Sequence, residues 1–278
     1  MYSSKKYKDM RRIKNLIIIG LVLFTGIVSA QKKEVDLFAV PLSSPGQEGT
    51  LKLNQISGSI TVTGYEGKDV IVKVFVVEGE ETSNKTKNGM KRIGNSGLNI
   101  SAEEDNNVVT INNEAWNRKT DFDIKVPSNF SLKLGTVNNG DINVQNVSGD
   151  MEISNVNGSI TLGSVEGAVT ANTTNGEVKA DFKSVGNIAD MAFSSFNGDV
   201  EVVFPSSVKA NVKAKSDMGD IYTDFDISIV ENKPVVDKKQ TSGKYKVKLE
   251  QWLKGKINGG GPELLLKTFN GDILIKSK

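Results

Sequence analysis

The chain reads as an all-β repeat protein, a two-sided β-solenoid with coils of about 18 residues, and three observations predict it. Glycines recur every nine residues at Gly140, Gly149, Gly158, Gly167 and Gly176. The second and fourth residues after each glycine are apolar: Ile142 and Val144, Met151 and Ile153, Ile160 and Leu162, Val169 and Ala171, Val178 and Ala180. Asparagine precedes only alternate glycines, at Asn139, Asn157 and Asn175, so like turns return every eighteen residues.

Side chains two apart share one face of a strand. Asn143, Glu152, Thr161, Thr170 and Lys179 stand between the apolar pairs, and all are polar. Each unit is therefore a short strand with one buried face, closed by a glycine turn. Ile142, Val144, Ile153, Ile160, Leu162 and Val178 are expected inside, with Asn143, Glu152 and Lys179 outside. A helix would need apolar spacings of three and four, which this stretch lacks. The seventh position holds Val147, Val156, Val165 and then Thr174. Asn and Gly both tolerate the left-handed backbone of tight turns. In a solenoid whose coil is two units, Asn139, Asn157 and Asn175 would stack as a ladder. An antiparallel meander or sandwich stays open as the alternative; it would not require the eighteen-residue period.

Residues 1–30 read as a secretory signal peptide. Lys5, Lys6, Lys8, Arg11, Arg12 and Lys14 precede an apolar run from Leu16 to Val28, and Val28-Ser29-Ala30 supplies small residues for cleavage after Ala30. The run is 13 residues long, short of the ~20 that span a bilayer. Ile13-Lys14-Asn15 after Arg11-Arg12 fits ordinary secretion better than a twin-arginine signal. No second apolar run follows, so the mature chain is expected to have no transmembrane segment.

Residues 31–278 read as a single elongated β-repeat domain, most regular over 136–225. Residues 51–77, 98–112, 122–134 and 199–215 alternate as strands do, while 79–97 and 230–246 are polar, lack a period and are expected as loops. Outlying units stand at Ser57-Gly58-Ser59-Ile60, Asn197-Gly198-Asp199-Val200, Met218-Gly219-Asp220-Ile221 and Asn270-Gly271-Asp272-Ile273.

Composition excludes much chemistry. Hydrophobic residues at 37% and charged residues at 24% suit a chain that folds in water. There is no histidine, hence no imidazole base, no Ser-His-Asp triad and no His-ligated zinc. There is no cysteine, hence no thiol nucleophile, no disulfide, no Cys-ligated metal and no lipoprotein anchor. Beyond Ala30, Lys and Arg total 29 and Asp and Glu 32, a net charge of −3. No basic footprint for nucleic acid remains.

Several residues still invite a functional reading. Asp141 and Asp150 after their glycines suggest a calcium roll, but Ser159 and Ala168 take the same place and each unit has one glycine. Asp121 and Asp123 flank Phe122 on one strand face, and Glu103, Glu104 and Asp105 form a second acidic group. Such carboxylates serve polysaccharide-cleaving enzymes and, more often, solvated surfaces. Gly259-Gly260-Gly261 lacks the Lys-Ser/Thr of a phosphate loop and reads as a turn. Lys233, Lys238, Lys239, Lys244, Lys246 and Lys248 crowd one loop that could touch anionic glycan or lipid headgroups. Trp116 and Trp252 fit core caps or sugar platforms.

Val126-Pro127-Ser128-Asn129-Phe130-Ser131-Leu132 leads into Asn139-Gly140-Asp141-Ile142, and Phe204-Pro205-Ser206-Ser207 echoes it before Gly219-Asp220-Ile221. With Gly259-Gly260-Gly261-Pro262-Glu263-Leu264 and the closing Asn270-Gly271-Asp272-Ile273, these runs resemble a bacterial β-strand-repeat family of unknown function labelled "putative adhesin". The resemblance covers most of residues 50–278 and implies an exported β-repeat fold of the cell envelope. It carries over no catalytic or binding residue.

The sequence thus predicts an exported, non-enzymatic envelope protein in the periplasm, cell envelope or extracellular space. Its partner is an unidentified envelope or surface protein or glycan. Catalytic, cofactor and metal residues are expected to be none. The alternatives are a polysaccharide-active enzyme using Asp121 or Asp123, and a periplasmic partner in envelope signalling.

Overall fold

A computed structural model describes residues 32–77, 86–87, 90–91, 99–114, 118–184, 189–230, 235–241, 244–250 and 252–278, with side chains at 36–76, 99–114, 118–184, 189–230 and 252–278. Trp116, the segment 1–31 and most of 79–97 lie outside the described residues.

The first strands are β1 (Lys32–Pro41), β2 (Gly49–Ser57), β3 (Ile60–Tyr65), β4 (Asp69–Val77), the short pair β5 (Thr86–Lys87) and β6 (Met90–Lys91), β7 (Ile100–Asp105), β8 (Val108–Asn113) and β9 (Thr120–Pro127). Through the centre run β10 (Phe130–Asn138), β11 (Ile142–Gln145), β12 (Met151–Asn157), β13 (Ile160–Val165), β14 (Val169–Asn175), β15 (Val178–Phe182), β16 (Met191–Asn197) and β17 (Val200–Phe204). The last are β18 (Ala210–Ser216), β19 (Ile221–Thr223), β20 (Ile227–Ile229), β21 (Val235–Thr241), β22 (Lys244–Glu250), β23 (Leu253–Ile257), β24 (Glu263–Thr268) and β25 (Ile273–Ser277).

All but two short hairpins fall into a ten-stranded and an eleven-stranded sheet. Each coil contributes one strand to each sheet. Ile142 faces Ile160 and Ile160 faces Val178 in parallel register, and Met151 faces Val169 likewise in the other sheet. Equivalent residues therefore stack one coil later, and the fold is a two-sided β-solenoid; the antiparallel meander is excluded.

The coils do not stack in chain order. From one end to the other they run β8–β9, β2–β3, β10–β11, β12–β13, β14–β15, β16–β17, β24–β25 and β18–β19. The first coil in sequence and the last are each inserted one rung inside an end. Beyond the end coils the pairing turns antiparallel: β4 on β9 with β1 outside it, and β7 on β8, at one end; β23 on β18 with β20 outside it, at the other. The outermost β1 carries a register shift between Glu34 and Asp36 and ends in Pro41, features that discourage further strand addition.

The core is the space between the sheets. Ile142, Val144, Ile153, Ile160, Leu162 and Val178 are buried as expected, and Glu152 and Lys179 are exposed, while Asn143 is half-buried. Phe182 fills the later coils, stacking on Phe204 at 4.7 Å and meeting Phe193 edge-on at 6.2 Å. The seventh-position residues divide by corner: Val147 and Val165 are buried, Val156 is exposed. That division is the eighteen-residue period expressed in space.

Two expectations need correction. The stacked ladder contains Asn138, not Asn139. The step from Leu132 to Met151 is one residue longer than that from Ile142 to Ile160, so this corner holds an extra residue, and Asn139 takes it up in the left-handed conformation (φ 57°). The segment 230–246 is not a plain loop. Strands β21 and β22 pair antiparallel from Val235↔Glu250 to Thr241↔Lys244. Tyr245, Val247 and Leu249 alternate with Lys244, Lys246 and Lys248, a strand period that the density of lysine conceals.

Candidate binding surfaces

One corner of the solenoid repeats the same chemistry in every coil but the β8–β9 end coil. Gly58, Gly140, Gly158, Gly176, Gly198, Gly271 and Gly219 follow one another up the stack, in that spatial order. A Cβ on Gly140 would lie 2.0 Å from the carbonyl oxygen of Gly58, and one on Gly158 2.1 Å from that of Gly140. Glycine is required here because backbone meets backbone. The end coil has no such corner beneath it, and there the equivalent residue is Thr120.

The glycine carbonyls are capped from inside. Thr136 Oγ1 donates to Gly58 O at 2.9 Å, Asn155 Nδ2 to Gly140 O at 3.0 Å, and Thr173 Oγ1 to Gly158 O at 2.8 Å. Ser195, Thr268 and Ser216 continue the series to Gly176, Gly198 and Gly271, each at 2.8 Å. The donors of these short polar residues, all but Ser216 buried, are thus satisfied by the neighbouring coil. Their place in the repeat was missed because Thr, Asn and Ser alternate there; the signal is a short polar residue three before the glycine, or four at Thr136, where Asn139 is the extra residue.

The residue after the glycine completes the corner. Asp121 Oδ1 accepts from Ser59 N at 2.8 Å, Asp141 Oδ1 from Ser159 N at 2.8 Å, Asp199 Oδ1 from Asp272 N at 2.8 Å, and Asp272 Oδ1 from Asp220 N at 2.9 Å. At the opposite corner Asp150 Oδ1 accepts from Ala168 N at 3.0 Å. The carboxylates that suggested calcium thus hold backbone N–H groups of the next coil. Asp121 is one of them and is buried, whereas Asp123 is half-buried on β9 opposite Lys73. Among the described residues no group of three or more Asp and Glu side chains converges as a metal site would require.

Outside the same corner, side-chain amides form an exposed ladder. Asn157 Nδ2 donates to Asn138 Oδ1 at 2.9 Å, Asn175 Nδ2 to Asn157 Oδ1 and Asn197 Nδ2 to Asn175 Oδ1, both at 2.8 Å. Beside it Ile56, Val137, Val156, Phe196 and Phe269 are exposed. The rings of Phe196 and Phe269 stack at 4.9 Å and 3°, so each covers one face of the other.

Glu103, Glu104 and Asp105 precede a turn whose central residues Asn106 and Asn107 both have positive φ (51° and 62°). Glu104 accepts from Ser43 N at 3.0 Å, Ser43 Oγ at 2.8 Å and Asn107 N at 2.8 Å. These bonds, the Ser43 N–H first, hold its carboxyl below the usual range. It is a strut between the 43–48 loop and the β7–β8 turn. Gly259-Gly260-Gly261 is a turn between β23 and β24, with φ of 85° at Gly259 and 91° at Gly260.

Besides a groove along β10 and β12 that holds Lys133, Asp150 and Glu152, two others gather charge. One, of about 350 Å3, is lined by Tyr65, Glu66, Glu166 and Lys183, with Glu166 and Lys183 paired at 3.5 Å. Tyr65 donates to Asp69, and burial with that bond pushes the phenol up to about 12. The other, of about 240 Å3, lies at the β18–β23 end and is lined by Lys213, Lys254, Lys256, Val230 and Glu263. Trp252 stands beside it, with Lys213 Nζ 5.0 Å from the ring centroid. Among the described residues no helix is long and apolar enough to cross a membrane.

No curated protein matches the chain. Among solved structures it is similar to a "putative cell adhesion protein" of Clostridium sporogenes, at 15% identity over 89% of this chain and 100% of that one, with a TM-score of 0.47. A "putative adhesin" of Bacteroides fragilis is similar at 10% identity over 90% and 99% of the two chains, with a TM-score of 0.33. The family model Toastrack DUF4097 matches residues 47–276, a span that takes in every coil of the solenoid from β2 to all but the last residue of β25, and the chain belongs to that family.

Proposed function

We propose that the mature protein, residues 31–278, is an exported, non-enzymatic solenoid that works in the cell envelope by binding or scaffolding, as an adhesin-like protein does. The observation that carries this reading is the fate of the recurring polar groups. Asp121, Asp141, Asp150, Asp199 and Asp272 cap the backbone of adjoining coils. A nucleophile–base pair of the kind histidine or cysteine supplies is ruled out by composition. What varies from coil to coil is the outer face, which is where a scaffold presents contacts. The basic, apolar run before Ala30 supports export.

The test is to incubate purified residues 31–278 with envelope and plant polysaccharides and follow new reducing ends or unsaturated products. No turnover is expected. Turnover lost on Asp121→Asn or Asp123→Asn, in variants that still melt cooperatively, would overturn the reading. Mass spectrometry of the exported protein should give Gln31 as the first residue.

A further inference from the structure

The outer face of the eleven-stranded sheet changes character along the solenoid. Over β10 and β12 its charges are paired, as in Lys133–Glu152 at 3.1 Å. At the other end three adjacent strands converge from distant parts of the chain. Strand β18 turns Lys213 and Lys215 outward, β23 Lys254 and Lys256, and β24 Lys267. Register brings them side by side: Lys213 faces Lys254, and Lys215 faces Lys267. Two acids answer them: Glu263, 4.0 Å from Lys213, and Asp217 just past β18, 2.9 Å from Lys215, which leaves Lys254, Lys256 and Lys267 as the remaining outward lysines. With the strand ends included (Lys209, Asp190 and Asp217), the balance is six lysines to three acids, in a mature chain that is net negative.

Apolar groups stand among these lysines. Val230 is exposed at the groove with Lys254, Ile229 is exposed on the adjoining edge, and Trp252 lies under Lys213. A soluble polyanion would need only the cations. Lysines around an exposed Val and a Trp match an anionic bilayer surface, where ammonium groups meet headgroup phosphates and apolar side chains enter the interface. We propose that the β18–β23–β24 face docks on an anionic phospholipid membrane. This deepens the envelope reading above and rests on it for access to such a surface.

The test uses residues 31–278 and sucrose-loaded vesicles of phosphatidylcholine alone or with 30% phosphatidylglycerol, sedimented at about 0.1 M salt, near the ~10 Å Debye length. The protein should sediment with the anionic vesicles and not with the neutral ones. Each lysine neutralised should weaken partitioning about fivefold, and the triple variant Lys254→Gln, Lys256→Gln, Lys267→Gln about 100-fold. Lys52→Gln with Lys133→Gln, on the far end of the same sheet, should leave it unchanged. Circular dichroism confirms that each variant is folded. In the Trp116→Phe background, Trp252 emission should shift to the blue on anionic vesicles. Equal binding to both vesicles, no binding to either, an unaffected triple variant, or capture by soluble heparin without vesicle binding would each overturn membrane docking. None of those results touches the scaffold reading, which the turnover assay decides separately.

Discussion

The middle of the solenoid and its two ends solve one problem differently. From β10 to β17 each coil lies on the coil before it in sequence, so every corner is built twice from neighbouring chain. At the ends the coils are intercalated: β2–β3 lies between β8–β9 and β10–β11, and β24–β25 between β16–β17 and β18–β19. A solenoid of identical coils would end on an open edge, ready to accept another strand. Here each terminal coil of the sequence is held on both sides, and the outer rungs carry antiparallel strands on β8, β9 and β18, while the fourth edge is the short three-residue β19. The middle supplies a uniform core, and the ends supply closure and, at one end, a distinct surface.

Removing the last coil should therefore cost more than its length suggests. Deleting residues 263–278 takes β24 and β25 from between β16–β17 and β18–β19, and uncovers Met191, Phe193, Val200 and Val202 on one side. Val212 and Ala214 lose their partners on the other. The expected outcome is loss of cooperative unfolding, or, where the rest folds, loss of amide-exchange protection throughout 210–229. Full protection there would mean that the end coil docks without the inserted one.

The central comparison sharpens with two glycines. Gly140→Ala places a methyl group against backbone atoms 2.0–2.4 Å away, which only a coil displacement can relieve, at about 3 kcal/mol. Gly259→Ala in the β23–β24 turn meets open space and bears only the left-handed φ of 85°, at roughly 1 kcal/mol. Urea midpoints of the two variants should fall in that order. Equal midpoints would show that conformation, not close approach, governs the corner glycines.

Much of this architecture is legible in the residues themselves. The nine-residue glycine spacing with apolar positions two and four specifies strand, face and corner for β11 to β15, and the Asn-Gly alternation specifies two units per coil. Three features are hidden. The stacking order of the end coils is a matter of which neighbours bury more, and Asn270-Gly271 looks the same whether it follows Met218-Gly219 or precedes it in space. Asp121 looks like one half of a catalytic pair because Thr120 replaces the glycine that would mark it as a corner residue. The lysine face joins Lys213, Lys254 and Lys267, which share no local pattern and meet only through the β18–β23 pairing and the inserted β24.

The smallest expected effect belongs to the other end, where Glu104 braces the 43–48 loop. Its carboxyl is held below the usual range chiefly by the Ser43 N–H, then by the Ser43 hydroxyl and the Asn107 N–H. A carboxyl with a depressed folded value stabilises the protein above its unfolded value of about 4.3 and loses that contribution as pH falls through the folded one. Glu104→Gln removes the charge at every pH. The variant should be slightly less stable than the parent at pH 7, and the gap should close as the pH is lowered below about 4. Urea midpoints of both proteins across this range provide the measurement, with Glu152→Gln as the control from the central coils: Glu152 meets Lys133 in solvent, and its replacement should change stability by less than about 0.5 kcal/mol. A Glu104 gap that persists unchanged into acid would mean that the side chain's shape, rather than its charge, holds the loop in place.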